Sequence, residues 1–112
     1  MRTGWTLIAA ATLLSAGVAF AQKYPDKPIR LVVGFPPGGA ADILGRIAAQ
    51  QLSNSLGAQV VVDNRGGAGG LVATEIAAHS AADGYTLLFT SIPHVINPHL
   101  YKKVGYLSLI HI

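Results

Sequence analysis

This fold is constrained most by two runs of glycine, proline and other small residues. Each run lies between an apolar segment and a segment with helical periodicity. They occupy residues 36–41 and 64–70. The segment before the first run, residues 29–35, is apolar and rich in β-branched residues, as is typical of a strand buried on both faces. Residues 59–62 form a similar, shorter strand before the second run. The chain therefore enters a small-residue loop twice, each time directly from a buried strand.

Helical periodicity follows each glycine-rich run. Between about residues 41 and 56, apolar residues recur at three- and four-residue spacing and form one stripe of a helix: Leu44, Ile47, Ala48, Leu52 and Leu56. Gly57 follows as the expected C-terminal cap. A second helix is predicted over residues 71–82, with Leu71, Ile76 and the alanines facing inward.

The remaining chain predicts a third strand and a third helix. Residues 85–90 form the strand, after a chain reversal at Asp83 and Gly84. Asn97 is the expected N-cap of the helix and Pro98 its first residue. The order β-α-β-α-β with short connections predicts an α/β fold with a parallel sheet. Its strand-to-helix loops meet at the carboxyl edge of the strands, where such sheets bind ligands.

The two glycine-rich runs predict an anion site built from backbone amides. Small residues leave the first N–H groups of a helix accessible, and the helix dipole adds about half a positive charge there. The alternative is that the glycines only permit tight turns and close packing. A nucleotide site fits poorly, because Ala40 and Ala41 stand where a phosphate-binding loop needs Lys and Ser or Thr, and Val72 interrupts a dinucleotide fingerprint. A carboxylate ligand is the better prediction.

The charged and reactive side chains indicate few other functions. The chain contains no cysteine, and without Arg2 seven dispersed basic residues face five acidic ones, so we expect no nucleic-acid binding. No residues are predicted to be catalytic or to bind a metal, and no cofactor is expected. Asp42 falls in the first turn of the first helix. Capping by the dipole explains it, and a contact to ligand-bound water is the alternative.

Residues 1–21 are typical of a secretory signal peptide. Met1 and Arg2 give a positive start, and residues 6–19 are an apolar run shorter than the roughly 20 residues that span a bilayer. Residues 19–21 read Ala-Phe-Ala, a cleavage site after Ala21. A membrane anchor or a buried helix is the alternative. We therefore expect a mature chain that begins at residue 22 and is exported, most simply to the periplasm.

Four blocks in sequence order resemble the solute receptors of tripartite tricarboxylate transporters, the Bug family. They are residues 24–39 followed by Asp42, residues 61–70, residues 83–88 and residues 97–101. The resemblance implies a two-lobed periplasmic binding protein of the type II, Venus-flytrap class. Such a receptor closes on a small carboxylate and delivers it to a membrane permease.

The resemblance also implies a set of ligand-binding residues, most of which act through backbone amides. The first loop contributes Phe35, Gly38, Gly39, Ala40, Ala41 and Asp42. The second contributes Gly67, Ala68 and Gly69, and the third contributes Thr90, Ser91 and His94.

The chain departs from the family pattern after residue 103. We expect residues 22–106 to be the N-terminal part of the first lobe, the second lobe to be absent, and residues 107–112 to be a foreign tail of a truncated reading frame. Two other functions stay open at this point. One is half of an α/β enzyme, a hydrolase or a nucleotide-dependent protein, and the other is an interaction fragment without a ligand.

Overall fold

The computed structural model describes residues 23–106, and in them three parallel strands form one sheet. β1 spans Ile29–Val33, β2 spans Val60–Asn64 and β3 spans Thr86–Phe89. β1 lies in the middle, so the strand order is β2-β1-β3, and both pairings are parallel. The predicted α/β class with a parallel sheet is confirmed. The signal peptide and the foreign tail were predicted for residues outside the described range.

Helices connect and follow these strands. α1 spans Ala40–Leu56, α2 spans Leu71–Ala78 and α3 spans Pro93–Leu100. Gly57 ends α1 as predicted, since it adopts a φ of 66° and its N–H bonds to the Ser53 carbonyl at 3.0 Å. Within residues 23–106, none of the helices has the length and apolarity needed to cross a membrane.

α2 is four residues shorter than predicted. The side chains that follow it bond back to its last turn: the Ser80 hydroxyl donates to the Ile76 carbonyl at 2.7 Å, and a ring nitrogen of His79 lies 2.8 Å from the Glu75 carbonyl. Such side-chain bonds compete with continued helix formation. Helical periodicity does not report this competition, so the predicted end at residue 82 was wrong.

The predicted start of α3 was also wrong. The helix begins at Pro93, and Pro98 lies inside it instead of at its first position. A proline within a helix has no N–H for the carbonyl four residues earlier, here that of His94. The Tyr106 hydroxyl donates to that carbonyl instead, at 3.3 Å, and the Tyr106 ring stacks on His94 with 5.2 Å between centroids. A residue outside the helix therefore compensates for the internal proline.

α1 covers one face of the sheet. The core under it comprises Ile29, Leu31, Val33, Ala49 and Val60. The helix approaches closely because Gly45 faces the sheet, where an added Cβ would lie only 3.0 Å from Val33 Cγ2. The buried residues of α1 are Asp42, Gly45 and Ala49, whereas Leu44 and Ile47, from the predicted apolar stripe, are more than half exposed. Small residues, not the largest apolar ones, make this contact.

α2 covers the opposite face. Neighbouring residues of a strand point to opposite sides, and a Cβ on Gly34 would lie 3.4 Å from Ala73 Cβ. Ala73 and Thr74 are the buried residues of α2. Leu71 and Ile76, which were predicted to face inward, are only half-buried. The sheet is therefore enclosed by one helix on each side, as alternating strands and helices require.

The N-terminal segment is fastened at the edge of the sheet opposite the strand-to-helix loops. The Tyr24 hydroxyl donates to the Gly84 carbonyl at 2.6 Å, and the Tyr24 and Tyr85 rings meet edge to face at 5.0 Å. Lys27 Nζ lies 4.4 Å from the centroid of the Tyr85 ring. The Tyr85 hydroxyl donates a hydrogen bond to the Asp26 carboxylate, and this bond raises the pKa of Tyr85. These contacts join the start of β1 to the start of β3.

Candidate functional site

The strand-to-helix loops start at one level of the sheet. Val33, the last residue of β1, lies opposite both Asn64 of β2 and Phe89 of β3. Backbone bonds continue past the strand ends, with Arg65 N–H bound to the Val33 carbonyl at 2.8 Å. The first loop, residues 34–39, and the second loop, residues 65–70, are therefore neighbours at the carboxyl edge, as predicted.

The first loop leads directly into the N-terminus of α1. Gly39 is the N-cap and provides no side-chain bond, and Ile43 N–H closes the first helical turn on the Gly39 carbonyl at 3.1 Å. The N–H groups before Ile43 in that turn have no partner within the helix. Residues 38–40 are exposed. Together with the dipole of a 17-residue helix, these amides form a positive surface with little side-chain cover.

Asp42 holds the first loop in place. Its carboxylate is buried and accepts hydrogen bonds from Gly38 N–H at 2.9 Å, Arg46 Nε at 3.0 Å and Asn64 Nδ2 at 2.9 Å. These bonds, led by the one from Gly38, lower the pKa of Asp42 to about 2. Both oxygens of this predicted site residue are thus bound to donors of the chain itself.

Asn64 was not predicted from the sequence, yet it connects the two loops. Its side-chain amide donates to Asp42 Oδ1 and, at 3.0 Å, to the Phe35 carbonyl. Its Oδ1 lies 3.4 Å from Arg46 Nη2. The last residue of β2 therefore braces both ends of the first loop. The sequence signals this role only through position: the asparagine lies where a valine-rich strand gives way to a glycine-rich run.

The second loop contains four consecutive residues with positive φ. The values are 135° at Gly67, 46° at Ala68, 62° at Gly69 and 85° at Gly70. Three of the four are glycine, which adopts this region without a Cβ penalty. Gly70 N–H closes the turn on the Gly67 carbonyl at 3.0 Å. The result is a left-handed turn over Ala68–Gly70 that leads into α2.

The two loops also touch. A Cβ added to Gly66 would lie 3.2 Å from Pro36 Cδ, and one added to Gly34 would lie 3.2 Å from Gly70 Cα. The glycines at these positions therefore permit close packing, which was the alternative explanation for their presence. The same glycines bring the two amide surfaces side by side, so in this chain the two explanations are compatible.

Comparison with known proteins identifies the family. The profile described as tripartite tricarboxylate transporter family receptor matches residues 44–112, more than half of the chain. The chain belongs to this receptor family. BugT of Bordetella pertussis is 51% identical over an alignment of 99 residues that covers 84% of this chain and 30% of that protein. A relative from the tcbD-tcbE intergenic region of Pseudomonas sp. strain P51 is 41% identical, over 88% of this chain and 30% of its own length.

Solved structures agree with this membership. The periplasmic binding protein BugD superposes with a TM-score of 0.74 at 40% identity, over 76% of this chain and 28% of that one. Rpa4515 of R. palustris, solved with adipate, gives 0.69 at 36% identity over 77% of this chain and 29% of its own. MatC of Rhodopseudomonas palustris, solved with bound malate, gives 0.55 at 35% identity over 58% and 22%. The matched part of the chain covers 22–30% of the length of these relatives.

These findings confirm the predicted resemblance to the Bug receptors. They also bear on the enzyme alternative that the sequence left open, because the family and the matching structures are receptors and binding proteins and not enzymes. The α/β enzyme half-domain is therefore not supported. Within residues 23–106, His, Asp and Glu side chains form no group of three that would hold a metal ion.

The predicted residues of the third loop lie in a different setting from those of the first two. Thr90 is half-buried and Ser91 is exposed. His94 lies in the first turn of α3, where its ring stacks on Tyr106 and its Nδ1 is buried without a hydrogen-bond partner among the described residues. The His94 ring is therefore packed against Tyr106 and does not project freely from the third loop.

Proposed function

We propose that this chain forms the first-lobe part of a periplasmic receptor that recognises small carboxylates through backbone amides of its two glycine-rich loops. The observation that supports it is the pairing of two side-chain-poor loops at the N-termini of α1 and α2, in direct contact through Gly66 and Pro36. Loops of this kind bind anions through N–H groups and the helix dipole.

The charge of Asp42 is compatible with an anionic ligand. A free carboxylate beside the first loop would repel an acid. Here Arg46 and two further donors surround it, and their hydrogen bonds keep its pKa at about 2. Its negative charge is therefore directed into the chain's own network, which includes Gly38 N–H, and the amides of residues 39–41 remain for the ligand.

The proposed ligand class is inferred from the relatives. Adipate and malate are the molecules named in two of the matching structures. We infer that this chain takes small carboxylates of that kind, with Phe35, Gly38 to Asp42 and Gly67 to Gly69 around one end. Thr90, Ser91 and His94 complete the site at the third loop. A second lobe encloses the other end, since enclosure buries most of a ligand's surface.

Export and delivery follow from the same proposal. The signal peptide at residues 1–21 directs the chain to the periplasm and is removed after Ala21. There the receptor passes its carboxylate to the membrane permease of a tripartite tricarboxylate transporter. The periplasmic binding proteins among the matching structures support this location.

A chimeric receptor tests the proposal. Residues 23–106 replace the matching first-lobe segment of the adipate-bound Rpa4515, and calorimetry measures binding of adipate, malate and the neutral diamide of adipic acid. We expect the dicarboxylates to bind and the diamide to bind at least tenfold more weakly, because hydrogen bonds to a charged group are worth about 1.5–3 kcal/mol. Equal affinity for adipate and its diamide would contradict anion recognition by the amides.

A further inference from the structure

The buried polar side chains of this lobe share one feature. Among residues 23–106 there are three of them, Asp42, Thr74 and Asn97. Asp42 binds Gly38 N–H of the first loop, Thr74 Oγ1 donates to the Gly70 carbonyl at 3.0 Å, and Asn97 Nδ2 donates to the Gly69 carbonyl at 3.4 Å. Burying a polar group is costly unless it is hydrogen-bonded. In this lobe, each such group bonds to the backbone of a glycine-rich loop.

Asn97 lies on α3, far from the second loop in sequence but against it in space. The residue is 4% exposed. A Cβ added to Gly69 would lie 3.9 Å from Asn97 Oδ1 and 4.0 Å from Pro93 Cβ. The first two turns of α3 thus pack onto the left-handed turn, and Asn97 provides the hydrogen bond across this contact.

The left-handed turn needs support from outside. Ala68 adopts a φ of 46° without being glycine, and this region is strained for an L-residue because its Cβ crowds the following carbonyl oxygen. The peptide unit between Gly69 and Gly70 is fixed at both ends: its carbonyl accepts from Asn97, and its N–H donates to the Gly67 carbonyl. Loss of the Asn97 bond would free one end of that unit.

We propose that Asn97 is a positioning residue that holds the Ala68–Gly70 turn in its amide-presenting conformation. Asn97 does for the second loop what Asp42 does for the first. Its consequence for ligand affinity rests on the proposed carboxylate function, whereas its effect on the turn does not. Through Asn97, α3 and the third loop are mechanically connected to the second loop.

Amide hydrogen exchange on the 112-residue chain tests the effect on the turn. Asn97→Ala removes the side chain, and Asn97→Leu keeps its size without a donor, so at least one variant should retain the packing of α3. His99→Ala, at an exposed position of the same helix, is the matched control. We expect exchange at Gly70 N–H to become about three- to tenfold faster in both Asn97 variants, as expected for one lost hydrogen bond.

Two other amides make this result specific. Ile43 N–H reports on the first loop and Arg30 N–H, bound to the Tyr85 carbonyl at 2.8 Å, reports on the sheet. At each of these two amides, every variant should exchange as fast as the unsubstituted chain. Unchanged exchange at Gly70, or an equal increase at all three amides, would overturn the proposal, because the first denies any effect and the second shows only general loosening.

Calorimetry with adipate on the chimeric receptor tests the consequence for binding. Asn97→Leu should weaken binding, and the loss should be smaller than additive with Gly69→Ala but additive with Gly38→Ala. Unchanged affinity together with faster exchange at Gly70 would overturn the role in ligand positioning. If the unsubstituted chimera binds no carboxylate, the proposed function fails, and exchange at Gly70 alone decides whether Asn97 holds the turn.

Discussion

Replacing Gly34 with alanine should separate the two loops. The added Cβ would lie 3.2 Å from Gly70 Cα and 3.4 Å from Ala73 Cβ. The nearer of these atoms is backbone, so it cannot give way by a rotamer change. Overpacking of this kind typically destabilises the folded state by about 1–3 kcal/mol. Alanine also lowers the conformational entropy of the unfolded chain, which stabilises the folded state by about 0.4–1 kcal/mol. We therefore expect a net loss of about 1 kcal/mol.

Gly39→Ala provides the matched control in the same loop. Gly39 has a φ of −84°, and an added Cβ would meet only the Pro36 carbonyl at 3.8 Å. The poorer capping by alanine costs about 0.5–1 kcal/mol, and the entropy gain of about 0.4–1 kcal/mol offsets it. This variant should be nearly neutral.

Urea denaturation followed by circular dichroism measures both variants. With a slope of about 1 kcal/mol per molar urea, Gly34→Ala should lower the midpoint by roughly 1 M and leave the slope unchanged. Gly39→Ala should keep the midpoint. If Gly34→Ala is as stable as Gly39→Ala, then the close approach of β1 to the second loop does not constrain this position, and the packing argument is wrong.

Three further predictions follow from single contacts. Tyr106→Phe should lower the free energy of unfolding by about 1 kcal/mol because the His94 carbonyl loses its donor, whereas Tyr101→Phe at an exposed position should be neutral in urea titrations. The pKa of Asp42 is lowered from 3.8 to about 2, so its contribution to stability is full above about pH 5 and is lost as pH falls from about 4 to 2; Asp42→Asn should flatten this part of a pH series of urea midpoints. N-terminal sequencing of the exported protein should show cleavage after Ala21, and an intact N-terminus in the membrane fraction would contradict it.

The sheet was predictable because its signals are local. β-branched runs mark β1 and β2, an apolar run marks β3, and small-residue runs mark the loops after β1 and β2. The parallel order follows from alternation of strands and helices. The neighbourhood of the two loops was therefore a consequence of topology and needed no knowledge of side-chain contacts.

The features that escaped prediction depend on partners distant in sequence. Pro98 lies within α3, and the His94 carbonyl that it leaves without a helical partner accepts from Tyr106, 12 residues after His94 in the chain. Leu44 and Ile47 match a buried stripe by spacing, but the contact with the sheet is made at Gly45 and Ala49. Asn64 and Asn97 show their roles only once the loops they bind are folded next to them.

The comparison of two glycines in the chimeric receptor tests the amide site most directly. Gly38 has a φ of 92° and Gly57 a φ of 66°, and an added Cβ would meet nothing within 4 Å at either position. Alanine therefore imposes backbone strain at both, but only Gly38 lies in the first loop. Calorimetry with adipate should show at least tenfold weaker binding for Gly38→Ala and unchanged binding for Gly57→Ala. Equal affinity of the two variants would contradict carboxylate recognition by the amides of this loop.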